Sequence, residues 1–118
     1  MVEFAIAASV LVVLLLGILE FGLAAWARNC VVADAREGAR YAMVRGSTSG
    51  RTADSAMVAD FVKSKTSLDN SIQVVTTWGG AKAAGTTVTV KVRHVVPRRG
   101  PFRGEHTDSS SSTMVVLF

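Results

Sequence analysis

Residues 4–27 place 20 apolar side chains in 24 positions, interrupted only by Ser9, Gly17, Glu20 and Gly22. No polar face recurs at helical spacing, so this is not the stripe of a surface helix on a globular core. A helix of that length rises about 36 Å, enough to cross a hydrocarbon layer with some tilt. The pattern predicts a transmembrane helix. A cleaved signal peptide would have a shorter apolar run behind a basic start, whereas this chain opens on "MVEF" with an acid.

The helical pattern does not stop with the apolar run. "WARNCVVADAREGARYAMVRG" contains no proline, and Cys30, Val31, Ala35, Gly38, Ala39 and Ala42 recur at near-helical spacing. Glu37 is placed to pair with Arg40 three residues on and to lie under Tyr41 at the next turn. One helix over residues 4–44 would form a rod of about 60 Å, oily all round at first and then amphipathic. "RGSTSGR" reads as a loop. Thr52 is a candidate cap for a second helix, with Asp54 in its first turn. Met57, Val58, Phe61 and Val62 give that helix one buried stripe, Lys63 and Lys65 suit its end, and "DNS" at Asp69 stops it.

Beyond that point the period becomes two. Ile72, Val74 and Trp78 share one face of a strand. After "GGAKAAG", Val88, Val90, Val92 and Val96 alternate with Thr87, Thr89, Lys91 and Arg93 until Pro97. "PRRGPFRGEHTDSSSS" reads as a mobile polar connection, and residues 113–118 as a last strand. The expected fold class is α+β: a long N-terminal transmembrane helix extends into a small head, with one short helix packed on an antiparallel sheet of about three strands. Residues 1–27 form the anchor half of the long helix and residues 28–118 the head.

Composition adds little beyond this split. The head carries all 13 Lys and Arg but 7 of the 9 acids, a formal +6 that suits anionic headgroups, acidic proteins or nucleic acid alike. The single Cys30 excludes an internal disulfide and leaves only a bridge between neighbours. No residues assemble into a catalytic, cofactor or metal motif. His94 falls on the valine face of its strand without ligand-spaced company. His106 is grouped with Glu105 and Asp108 in the polar connection. "SSSS" reads as a linker with no paired base. The chain is therefore expected not to be an enzyme and to need no cofactor. "RHVVPRRGPFRG" sets Arg93, Arg98, Arg99 and Arg103 around Phe102. One aromatic without a recognised module makes a poor nucleic-acid site, so the plainer reading is a solvated or membrane-facing loop. The alternative function is a membrane-tethered binding module whose basic loop grips an anionic partner.

Trp26 and Arg28 end the span where an interfacial anchor belongs. Glu20 is the anomaly, since a carboxylate at a bilayer centre costs about 2.5–3.5 kcal/mol. It lies seven residues inside Ala27, about 10 Å along the axis. It can be protonated, reach toward the interface, or face a partner that supplies a donor. Gly17 and Gly22 on either side are expected to admit another helix, and Ala5 with Ser9 makes a second small pair.

"VEFAIAASVLVVLLLGILEFG" followed by "ADAREGARYAMVRG" resembles the TadE-like family, pilin-like proteins of the Tad (tight adherence) branch of type IV pilus systems. The resemblance covers about the first 46 residues. It rests on Glu3-Phe4 at the head of the oily run, on Gly17 to Gly22 around an acid, and on the Arg36-Glu37-Gly38-Ala39-Arg40-Tyr41 block. It implies a minor pilin or pseudopilin in the bacterial cytoplasmic membrane with its head outside. Its partners would be the bilayer, other pilin-like subunits and pilus assembly proteins, with a prepilin peptidase to trim it. Glu3 would match the family's glutamate that neutralises the terminal amine of an adjoining subunit. Glu3, Phe4, Gly17, Glu20 and Gly22 are then the candidate assembly contacts. The leader that should precede cleavage is not in the sequence, so either the start lies upstream or this member is unprocessed. The positive-inside rule alone would leave the head in the cytoplasm, because the cations follow the span. A basic leader would restore the outward orientation that the resemblance implies.

Overall fold

A computed structural model of the chain describes residues 1–68, 71–97 and 105–118. Its elements are helices α1 (Val2–Met43) and α2 (Ser55–Lys65) and strands β1 (Ile72–Trp78), β2 (Thr87–Pro97) and β3 (Glu105–Val115). This is the expected α+β arrangement of one long apolar helix, one short helix and a three-stranded antiparallel sheet. The molecule is a rod of 74 × 20 × 18 Å. Its first 26 residues run free of the rest, and Ala27 is the first buried residue of α1.

The head is built on the upper half of α1. Val31, Ala35, Gly38, Ala39 and Ala42 are buried along one side of it. Against them lie Val58 and Val62 of α2, Ile72 of β1, Val88, Val90 and Val92 of β2, and Val116. Each valine taken out of water contributes about 1.5–2 kcal/mol. The small residues of α1 let the other layers come close. At Gly38 a Cβ would sit 2.7 Å from Val62 Cγ2 and 3.1 Å from Val90 Cγ1. Thr66 Oγ1 donates to Asp34 Oδ2 at 2.6 Å and ties the end of α2 to α1.

The sheet order is β1-β2-β3. Trp78 pairs with Val88, Val88 with Met114, Val90 with Ser112, Val92 with Ser110 and His94 with Asp108. One face is therefore Val88, Val90, Val92 and His94 on β2, with Asp108, Ser110, Ser112 and Met114 beside them on β3. On the outer face Thr89 and Thr113 join hydroxyls at 2.8 Å.

Four expectations change. The serine run is no linker: β3 takes in Ser109 to Ser112 and ends at Val115, where the last strand was expected to cover 113–118. Composition argued for a connection, but β2 supplies a full hydrogen-bonding edge and inward serines are small enough to lie beside the alanine stripe of α1. His106 and Asp108 accordingly sit on a strand. Asp54, not Thr52, is the N-cap of α2, and Met57 is exposed while Phe61 is half-buried. Helix α2 stops at Lys65, where Thr66 turns extended; the stop assigned to Asp69 lies outside the described residues, as does the side chain of Val96.

The far end of the head is closed by backbone. Leu117 N–H donates to Met43 O at 3.0 Å, and Ser47 N–H to Lys82 O at 2.8 Å. Gly46 lies between these segments, where a Cβ would strike the Phe118 carbonyl and Val116. Lys82 holds a left-handed φ of 59°, and its Nζ reaches Ala53 O at 3.1 Å and Asp54 Oδ1 at 3.4 Å. The Ser55 backbone N–H, and then the Lys82 ammonium, hold the Asp54 carboxyl below the usual carboxylate range.

Two outcomes follow. Gly38→Val should destabilise the detergent-solubilised protein by about 1–3 kcal/mol in urea unfolding through overpacking, against a helix-propensity gain of about 0.3 kcal/mol. A variant as stable as the parent would mean that α2 and β2 are not seated on α1. Asp54 has its folded pKa depressed, so its contribution is full above its ordinary value of 3.8 and fades as pH falls through the lower folded one. The gap in melting temperature between parent and Asp54→Ala should therefore be open at neutral pH and close in acid below 3.8. A gap that persists unchanged in acid would show that the charge contributes nothing.

Candidate functional site

Along the free part of α1 the side chains meet nothing. Phe4 is 79% exposed and Trp26 51% exposed, while Glu3, Glu20 and Arg28 are exposed as well. A Cβ built at Gly17 or Gly22 finds open space. This is the one helix among the described residues long and apolar enough to cross a membrane. Glu3 lies in its first turn, where the helix dipole favours an acid. Ser9 spends its hydroxyl on its own helix, donating to Ala5 O at 2.8 Å. Among the described residues neither Glu3 nor Glu20 has a side-chain hydrogen bond or an ion pair.

Helix geometry sorts these residues by face. At about 100° per residue, Gly17 and Glu20 continue downward the line of Ala27, Val31, Ala35 and Gly38, the side that carries the sheet. Gly22 falls on the opposite side. Gly17 and Gly22, which flank Glu20 in sequence, are about 140° apart around the helix. Only Gly17 shares the face of Glu20. Sequence adjacency had grouped the three; helical phase separates them.

The opposite side continues upward into a charged surface. Ala33, Arg36, Glu37, Arg40 and Val44 are exposed and border an open groove of about 570 Å³ walled by Tyr41 and Phe61. Tyr41 stacks on Phe61 with ring centroids 4.1 Å apart and planes at 18°. The Arg45 guanidinium covers the Tyr41 ring at 3.7 Å, a cation–π contact that fixes that wall. The expected Glu37–Arg40 pair does not form. Among the described residues the ion pairs are Lys82–Asp54 and His106–Asp108, which leaves Arg36, Glu37 and Arg40 without partners. The sequence reading treated this block as a resemblance and as core; its outward half was missed, although the four-residue spacing of Arg36 and Arg40 marks one face.

The remaining candidates are scattered. His94 is 7% exposed on the inner sheet face, and among the described residues its Nδ1 has no hydrogen-bond partner. His106 Nε2 meets Asp108 Oδ1 at 3.1 Å. Among the described residues no three His, Cys, Asp or Glu side chains converge as a metal set. Cys30 is a free thiol, half-buried on α1. Arg93 is exposed on β2, while Arg98, Arg99, Phe102 and Arg103 lie outside the described residues.

The exposed apolar rod and the outward Arg36, Glu37 and Arg40 above it thus lie outside the core of the head. No curated protein and no solved structure matches the chain. Residues 1–40, most of the long helix, match the family model described as TadE-like protein.

Proposed function

We propose that this chain is a single-pass, pilin-like membrane protein that takes part in assembling a Tad-type adhesive pilus as a minor pilin or pseudopilin. The observation that carries this reading is the coincidence of the TadE-like match with the rod. The match over residues 1–40 covers a helix whose lower half is apolar on every side and touches nothing in the head. Exposed apolar surface on that scale requires lipid or other helices. Trp26 and Arg28 sit at the water boundary, and the head stands outside the cytoplasmic membrane. The chain works by packing against other pilin-like subunits and assembly proteins, and catalysis is no part of its role. A prepilin peptidase is its processing partner, and Glu3 pairs with the terminal amine of an adjoining subunit, two charges that lipid tolerates only together. Glu20, on the side of the rod below the sheet, is a second polar contact within the bilayer.

Co-purification from membranes of the native host tests this. The parent should bring down other pilus components. Glu20→Ala should insert normally and recover them less well, by about threefold or more for a loss of about 0.6–1 kcal/mol per intramembrane contact. Equal recovery would remove Glu20 from the contact. A parent that recovers no pilus component from a piliated host would end the reading.

A further inference from the structure

Resting on the reading that the rod packs sideways, we infer that a second copy of this chain docks in parallel along the face opposite the sheet, with Glu37 of each copy set against Arg36 of the other. Three observations select that face. The sheet and α2 occupy the rest of the circumference of α1 from Ala27 upward. A parallel rod at equal depth can therefore follow α1 along its whole length only where the helix stays bare. The bare line runs through Gly22, Trp26, Asn29, Ala33, Arg36 and Arg40 at three- and four-residue steps, with Glu37 beside it, and all seven are exposed. Gly22 offers no side chain and Ala33 a single methyl, so helix axes can approach closely.

The charges select the occupant. Arg36, Glu37 and Arg40 carry both signs and have no ion-pair partner among the described residues. Arg36 and Glu37 lie on either flank of the bare line, about 100° apart. A two-fold axis along the rods brings the left flank of one copy against the right flank of its mate. Glu37 then meets the mate's Arg36 at the same height, twice by symmetry, and Arg40 reaches one turn down toward the same carboxylate. A membrane enforces the equal depth that this register needs. Lipid headgroups are the wrong ligand here. Arg36 and Arg40 stand about 15–21 Å along the axis beyond Trp26, past an interfacial layer of about 5–8 Å. A uniformly acidic partner fits less well, because Glu37 adds a negative charge on one flank of the patch.

Disulfide trapping in native membranes tests the inference, with the full chain carrying Cys30→Ser. Ala33→Cys, on the bare line, should give a covalent homodimer under mild oxidation. Thr52→Cys, exposed on the head away from that line, should not. In the Ala33→Cys background, Arg36→Glu or Glu37→Arg alone should cut the dimer about threefold or more, and the two together should restore it. A membrane-inserted Ala33→Cys protein that stays monomeric, cross-links no better than Thr52→Cys, or bridges only to a different protein overturns the inference, as does a double reversal that fails to rescue. The pilus reading fails separately: loss of pilus components from the purification with the homodimer intact removes that reading and keeps this contact.

Discussion

Close approach to one side of a single helix is the constraint on which the rest depends. Helix α1 must satisfy two surroundings in succession, with no break between them. In its lower half every side faces outward and apolar side chains suffice all round. In its upper half a sheet and a second helix must reach its backbone, and they do so because Val31, Ala35, Gly38, Ala39 and Ala42 present almost nothing in the way. Gly38 is the tightest point, under methyls of Val62 and Val90. The long helix is thus the floor of the head's core, and the head cannot shift along it without pressing its valines onto larger side chains.

The same economy of volume explains the least expected element. A strand rich in serine is poor in intrinsic β preference and in apolar surface. It forms beside β2 because its backbone completes that strand's hydrogen bonding, with half-buried Ser110 and Ser112 on the inner face. At the far end, Leu117, Ser47 and the strained Lys82 fasten the strand end and two loops to the top of α1. On the other side of α1, Arg36, Glu37 and Arg40 stay exposed.

That division gives the rod two distinct sides. Glu20 and Gly17 lie on the side below the sheet. Gly22 and the Arg36–Arg40 surface lie on the bare side, open to a neighbour in register. A single helix presents both sides by phase alone.

Much of this was legible in the residues themselves. The length of α1, the boundary with the loop at Arg45, the strands at Ile72 and Thr87 and the anomaly of Glu20 all follow from hydrophobic period and spacing, because local backbone geometry repeats a pattern that a chain displays directly. The resemblance of the first forty-odd residues to TadE-like proteins rested instead on particular residues, Glu3-Phe4, Gly17 to Gly22 around an acid and the Arg36 to Tyr41 block. What the chain did not display is which residues oppose one another. Ser109 to Ser112 became a strand through pairing with β2, Thr66 at the end of α2 bonded to Asp34 of α1, and the sheet gave the long helix a front and a back. Those outcomes depend on partners distant in sequence, and only packing in three dimensions assigns them.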